Sequence, residues 1–380
     1  MKKRKSLLRS DSFQTLLTSL LCIILGVAIG YVVLLIINPA GAWKSMSALL
    51  KNFFHYPAGK LRMKYFGQTL VRTAPLLMCA LSILFAYKVG MFNIGAAGQY
   101  VAGACACLYA GLYLHWHWLP CMLLAIAAGA LLGVISGLLK SSFNVSEVIS
   151  GIMLNWIALY TTNMLLTNVK EATSPYTYQL KAEGPQAILP QISLSKLLSG
   201  NQYVTIAIPI AIVCAVVIWV VLSKTLFGYE LKATGNNPNA AKYCGMAEKR
   251  NIILTLAIGG ALAGLGASLL YQTGYEQWQC TYSSVPSMGF NGIAAAFLGG
   301  LSPIGSIFAS FFIQHITAGG AYVDKSLYCS QISDLISAII IYLCSFVLFF
   351  KTVLSSWIAR HEEKKARKAA QAAGKGGEQA

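Results

Sequence analysis

Charged residues are scarce in this chain. Of its 380 residues, 11% are Asp, Glu, Lys or Arg, whereas 56% are hydrophobic. A soluble globular protein devotes about a quarter of its residues to charge, so this chain cannot cover its surface with charged groups. Lys and Arg exceed Asp and Glu, and the net charge is +17. Because the basic residues cluster at the ends of apolar segments, we interpret this charge as a sign of membrane orientation; lipid is the expected surrounding, and no nucleic-acid partner is predicted.

Motifs for catalysis and metal binding are also missing. No G-x-x-x-x-G-K-[ST] phosphate-binding loop occurs, and the segment 133–140 lacks the glycine before its lysine. Neither H-E-x-x-H nor G-x-S-x-G is present. Cys105 and Cys107 have no His or Cys nearby at zinc-ligand spacing. We therefore predict no catalytic residue, no metal site, no cofactor and no enzyme activity.

The apolar residues gather in about ten segments near the length that a bilayer span needs, roughly 20 residues. The predicted spans are residues 16–37, 66–87, 92–114, 119–139, 148–168, 203–222, 252–271, 289–301, 304–319 and 332–350. Segment 289–301 is too short to cross alone, so it is either re-entrant or paired with its neighbour. The prediction is an all-α, polytopic membrane protein with a transmembrane domain at 16–350 and tails at 1–15 and 351–380.

Lysine and arginine predict the orientation of these spans. The N-terminal tail, the loop 224–250 and the C-terminal tail are all rich in them, and ten crossings place all three on one face. The positive-inside rule assigns that face to the cytoplasm. We expect a multi-pass plasma-membrane protein with both termini cytoplasmic. The segment 38–65 does not follow the positive-inside rule, because the predicted topology places it outside although it is rich in Lys and Arg. Cys280 and Cys329 also fall outside, and whether they pair is left open.

Ionisable side chains are nearly absent from the predicted spans, which argues against coupling to an ion gradient. The polar groups there are mostly amides and hydroxyls. A buried amide in lipid is costly unless it is paired, so it either bonds between helices or faces a wet pathway. On the second interpretation, a pathway for a neutral polar solute is lined by Asn93, Gln99, Asn155 and Asn291.

Two glycine-rich patterns bear on packing. Residues 91–98 resemble residues 289–296, and each stretch opens a Gly/Ala-rich segment after a polar break. This predicts pseudo-repeated halves, as transporters often have, with chance similarity as the alternative. Glycines also recur every four residues in 129–137 and in 260–264. A helix face made of such small residues allows two helices to pack closely, either within this chain or between subunits.

The loop 224–250 holds the most specific pattern. Asn237 and Pro238 form a helix-start signal, and Gly245 can stop the helix that follows at 239–244. A short helix between two spans has little core to join. We expect it to dock on another protein.

This loop resembles the coupling segment of type II ABC importer permeases, the family that handles ribose, branched-chain amino acids and nucleosides. The residues that carry the resemblance are Gly228, Lys232, Gly235, Asn237, Ala240, Ala241 and Gly245. The resemblance continues through 92–99, 147–155 and 293–300, and the segment 147–155 is similar to the nucleoside branch. That branch commonly has Glu at the position of Ala97 and Asn at the position of Ser146.

The resemblance implies a permease subunit that forms the translocation pathway of an ATP-driven importer, with nucleosides as the leading cargo. It also implies ATP-binding cassette subunits at the loop 224–250, a homologous second permease and an extracytoplasmic solute-binding lipoprotein. We expect the two permeases to form a heterodimer, and a homodimer stays open. Two alternatives stay open: a permease for ribose-type sugars and a gradient-driven secondary transporter.

Overall fold

The computed structural model describes residues 11–324, 326–328, 335–336, 338–339, 342–343, 346, 349–356 and 360. The predicted tails and the predicted span 332–350 therefore lie largely outside the described residues, and Cys329 lies outside them entirely. The described ranges form α-helices joined by loops and short 3-10 turns, with isolated bridges and no named strand. The predicted all-α class is confirmed.

The helices follow in chain order. They are α1 (Asp11–Ile37), α2 (Pro39–Lys51), α3 (Gly59–Lys88), α4 (Ala96–Leu112), α5 (Trp118–Phe143), α6 (Glu147–Leu166), α7 (Leu180–Glu183), α8 (Leu194–Leu197), α9 (Ala207–Lys224), α10 (Leu226–Asn236), α11 (Pro238–Tyr243), α12 (Glu248–Tyr271), α13 (Met288–Leu298) and α14 (Pro303–Gly319).

Seven helices among the described residues are long and apolar enough to cross a membrane: α1, α3, α5, α6, α9, α12 and α14, the last counted with the 3-10 turn that extends it to Tyr322. Ten were predicted. Helix α4 has 17 residues and α13 has 11, so both fall short of a full span. Helix α4 begins at Ala96 and not near residue 92, because residues 92–95 form a bent entry to it.

The centre of the bundle is formed by α3 and α12. In the most apolar part of α3, 89% of the residues are buried, and in that of α12, 67% are, whereas α1 reaches 22%. Helix α12 packs against α5, α3 and α4. A helix segment that is apolar on all sides, such as the apolar part of α3, is expected at the centre of a bundle. Helices that bury only one stripe of residues surround it.

The predicted glycine faces join α5 to α12. A Cβ at Gly129 would collide with the Gly260 carbonyl oxygen, and one at Gly133 would collide with that of Leu256. Only hydrogen side chains allow the two backbones to come this close. The regular glycine spacing therefore serves packing within this chain.

Helix α13 is an interrupted, partial helix. Its first turn lies against α4, where a Cβ at Gly289 would collide with Ala97. Its last turn reaches the final turn of α3, with the rings of Phe297 and Tyr87 5.2 Å apart. A tight turn at 299–302 then leads into α14. The two segments of the predicted repeat, 91–98 and 289–296, thus touch each other at Ala97 and Gly289.

Candidate functional site

The loop 224–250 forms two short helices, α10 and α11. Helix α10 starts at a cap in which Thr225 Oγ1 accepts a hydrogen bond from Gly228 N at 3.1 Å. Helix α11 starts at Pro238, and Asn237 Oδ1 caps it by accepting from Ala240 N at 3.1 Å. Gly245 follows with φ of +79°, a left-handed conformation that favours glycine. The short helix predicted at 239–244 therefore exists, shifted by one residue. Helix α10 was not predicted, although Thr225 followed by an apolar residue was a signal for its start.

Two close backbone contacts and one side-chain hydrogen bond fix α10 to the ends of three longer helices. A Cβ at Gly235 would collide with the Val89 carbonyl oxygen just after α3, and one at Gly228 would collide with that of Val221 in α9. Asn251 Nδ2 of α12 donates to Thr234 Oγ1 at 2.9 Å, and both side chains are buried. Gly228 and Gly235 therefore position the segment through packing.

Helix α11 projects from this support. Ala241 is its buried residue, at 3% exposure, whereas Ala240 is exposed and the Tyr243 side chain is 93% exposed. Lys232 on α10 is partly exposed, and Gly245 is exposed. An isolated aromatic side chain held in solvent by a capped helix is suited to insertion into a partner's groove. Of the seven predicted coupling residues, three are fully exposed on this surface: Asn237, Ala240 and Gly245.

Three of the four predicted pathway residues surround the start of α4. Asn93 and Gln99 bind each other: Asn93 Nδ2 donates to Gln99 Oε1 at 2.8 Å, and Gln99 Nε2 donates to Asn93 Oδ1 at 3.2 Å. Asn93 Nδ2 also donates to Ser82 Oγ of α3 at 3.0 Å. Both amides are buried, at 3% and 1% exposure. In this conformation their hydrogen bonds hold the bent entry to α4 against α3.

The third residue, Asn155, lies on α6 and binds the same bent segment at the start of α4. Its Oδ1 accepts from Gly98 N at 2.7 Å, and its Nδ2 donates to the Ile94 carbonyl oxygen at 3.1 Å. Asn291 lies partly exposed on α13, close in sequence to the contact between Gly289 and Ala97. Ala97 is 1% exposed beneath that contact, so the glutamate common in the nucleoside branch would have no space here.

One exposed feature was missed by sequence reasoning. Helix α6 packs on α4 and α5, and its other side exposes Met153, Trp156, Tyr160 and Met164. The Trp156 and Tyr160 rings stack with centroids 6.0 Å apart, near the middle of the helix. Aromatic residues that face lipid gather at the two membrane interfaces. An aromatic pair spaced four residues apart at mid-span was the signal that could have revealed this face.

The described residues combine a helical bundle with spans long enough for a membrane, interrupted helices that meet inside it, and a projecting capped helix. This architecture fits a membrane transport subunit. The chain belongs to the family described as "Branched-chain amino acid transport system / permease component", whose model matches residues 65–345. The predicted family is thereby confirmed. This family is a transport component, which also confirms the prediction that the chain is not an enzyme.

Characterised relatives agree with this assignment. The chain is 34% identical over 337 residues to the guanosine ABC transporter permease protein NupP of Bacillus subtilis (strain 168), which covers 86% of this chain and 92% of that protein. It is 31% identical over 381 residues to the nucleoside ABC transporter permease protein NupB of Lactococcus lactis subsp. cremoris (strain MG1363), at 98% and 100% coverage. It is 28% identical to the glucose ABC transporter permease protein TsgB13 of Haloferax volcanii, at 75% and 78% coverage. No solved structure matches this chain.

Proposed function

We propose that this chain is the permease subunit of an ATP-driven importer and forms the pathway for nucleosides. Family membership supports the transport role, and the relatives named for guanosine and nucleoside transport match it over most of their length. The observation that carries the coupling to ATP is the exposure of α11, with Tyr243 held 93% exposed. A projecting helix of this kind receives movement from a partner through direct contact.

The charges near the described spans argue against an ion gradient as the energy source. Arg72 of α3 pairs with Glu276 at 2.7 Å, and Lys140 of α5 pairs with Glu147 of α6 at 2.9 Å. Glu276 lies in the loop after α12 and Glu147 is the first residue of α6, so both paired acids lie outside the interior of the spans, whereas carriers that couple to protons place acidic groups inside the membrane. ATP-binding cassette subunits at α11 therefore supply the energy in this proposal.

The same proposal sets the orientation and the partners. The face that carries α11 is cytoplasmic, and so are both termini. A second permease faces the free side of α6, so that the pathway lies between the two permeases and close to Asn93, Gln99, Asn155 and Asn291. Two Bacillus subtilis proteins, NupP and NupQ, are both named as guanosine ABC transporter permease proteins, and they match this chain at 34% and 30% identity; this supports a heterodimer. An extracytoplasmic solute-binding lipoprotein delivers the cargo.

Uptake into vesicles tests the proposal. Proteoliposomes would contain the chain, its second permease, its ATP-binding subunits and its binding protein, and would receive labelled guanosine or labelled ribose. We expect guanosine uptake that requires ATP and survives an uncoupler. Complexes with a catalytically inactive ATP-binding subunit serve as the control.

Two results would contradict the proposal in different ways. Uptake of ribose without guanosine would assign the chain to sugar transport, as the match to a glucose permease allows. Uptake that persists without ATP and collapses with an uncoupler would identify a secondary transporter.

A further inference from the structure

The loops on the side of the bundle opposite α11 enclose a polar cavity of about 270 Å³. It lies where the connection between α6 and α9 meets the connection after α12. Its volume is close to the lower end of the roughly 300–1,000 Å³ range of small-molecule pockets. The polar lining residues are Gln179, Lys181, Gln202, Tyr203, Tyr275, Glu276 and Gln277.

These loops are held together by buried hydrogen bonds. Thr177 N donates to the Trp278 carbonyl oxygen at 2.9 Å, and Trp278 N donates back to Thr177 Oγ1 at 3.2 Å. The Trp278 side chain is fully buried, and its Nε1 donates to Asn163 Oδ1 of α6 at 3.0 Å. Gln277 Nε2 donates to the Thr177 carbonyl oxygen at 2.7 Å. The wall of the cavity is therefore fixed to the helices.

Lys181 is the unusual group in this wall. Its Nζ is buried and has no hydrogen-bond acceptor among the described residues. It lies 3.8 Å from the centre of the Tyr203 ring, and burial lowers the pKa of its ammonium group. A Cβ at Gly274, which has φ of +68°, would lie 3.1 Å from Lys181 Cε. Glycine at this position leaves room for the lysine stem.

The other charged groups limit the chemical class of ligand that the cavity can bind. Glu276 faces the cavity and is held by Arg72 at 2.7 Å, so an anionic ligand would meet a carboxylate. Arg72 also lies over the Tyr275 ring at 5.1 Å. One face of the Tyr203 ring and one face of the Tyr275 ring are thus covered by cations and are closed to stacking with a ligand.

Vicinal hydroxyl groups match this set of donors and acceptors. An ammonium group donates only, a carboxylate accepts only, and primary amides do both. Each sugar hydroxyl also does both, so a ribose ring can accept from Lys181 while it donates to Glu276. We propose that this cavity binds the ribose portion of the incoming nucleoside, before the cargo enters the bundle. This inference rests on the proposed function for the identity of the cargo.

Ligand binding to the full chain in lipid nanodiscs tests the inference, with ribose, guanosine and the free base guanine as probes in saturation-transfer NMR. Lys181→Met removes the ammonium and keeps the stem, and Lys181→Arg keeps the charge. Lys196→Met, at an exposed lysine of α8, is the matched control. Lys181→Met should weaken ribose and guanosine binding roughly tenfold, the size expected for losing one hydrogen bond to a charged group. Lys196→Met should change nothing, guanine should not compete with ribose, and the unfolding midpoint of each variant should stay that of the original chain.

Several outcomes decide the matter. Ribose binding that is unchanged in Lys181→Met would overturn the inference, and so would competition by guanine. If Lys181→Met weakened only the affinity for the solute-binding lipoprotein, the cavity would be a protein docking site. Guanosine uptake without measurable ribose binding would reject the cavity and keep the proposed function. Ribose binding that depends on Lys181, without nucleoside uptake, would keep the cavity and reject the cargo.

Discussion

Asn155 of α6 caps the first turn of α4 through Gly98. Its Oδ1 accepts from Gly98 N at 2.7 Å, and a Cβ at Gly98 would lie 2.6 Å from that same oxygen. The first backbone N–H groups of a helix have no partner within the helix, and in lipid an unpaired one is costly. A side chain from the neighbouring helix α6 thus provides the hydrogen-bond acceptor that the backbone N–H of Gly98, in the first turn of α4, lacks within its own helix.

Replacing Asn155 with Ala should destabilise the chain. The change leaves the Gly98 N–H and the Ile94 carbonyl without their partners, and each buried unpaired group costs about 1–3 kcal/mol. Thermal unfolding in detergent measures the effect as a lower midpoint. Asn168→Ala, at an exposed amide just beyond α6, is the control. An unchanged midpoint for Asn155→Ala, with transport lost, would instead favour direct contact between Asn155 and cargo.

The two alanines of α11 should respond differently to Asp. Ala240 is exposed, so Ala240→Asp should fold normally but carry an unpaired charge into the contact with the ATP-binding subunit, at a cost of several kcal/mol. We expect normal expression and loss of the ATPase stimulation caused by loaded binding protein. Ala241 is 3% exposed, so Ala241→Asp should lower expression itself. Stimulation that survives in Ala240→Asp would remove α11 from the contact.

Cysteine labelling of intact cells tests the proposed orientation. Asn239 on α11 and Glu183 on α7 are both exposed, so each can report the side on which it lies. Cys244 is exposed and Cys280 is partly exposed on the proposed outer side, so both must first be replaced with Ser, together with Cys329, which the sequence also predicts to lie outside. A membrane-impermeant maleimide should react with Cys introduced at position 183 and not at 239. The reverse pattern would invert the topology.

A single methyl group at the contact between α5 and α12 should destabilise the bundle. In Gly133→Ala the new Cβ collides with the Leu256 carbonyl oxygen, and overpacking of this kind costs about 1–3 kcal/mol. Gly59→Ala is the control, because nothing lies within 4 Å of a Cβ there. The unfolding midpoint should fall in the first variant alone. Equal midpoints would mean that the two helices separate easily.

Sequence patterns predicted the helical class and most spans because apolar runs of sufficient length have few alternatives in a membrane. Helix ends were less predictable. Helix α3 begins at Gly59, although its start was predicted at residue 66. The prediction missed the first turns because they carry Lys60, Arg62 and Lys64, which lower the local hydropathy. A helix can continue through charged residues that leave the membrane, and hydropathy does not detect this.

The roles of the site residues depend on contacts that the sequence does not contain. Asn93, Gln99 and Asn155 were recognised as polar groups in apolar surroundings, but their partners include backbone atoms and a serine on other helices. Gly235 was recognised through a family pattern, whereas its physical requirement is the approach of Val89. The cavity around Lys181 unites residues from three separate parts of the chain, and no local pattern marks it.

The attachment of α10 has a mechanical consequence. Gly235 leaves no gap at Val89, and Thr234 is hydrogen-bonded to Asn251, so rotation of α10 alone would break both contacts. A displacement that keeps them must carry the ends of α3 and α12 along with it, and these two helices form the centre of the bundle. In the proposed coupling, a push from the ATP-binding subunit at Ala240 would therefore move α10 together with the ends of α3 and α12, and little of it would be lost in bending of a loop.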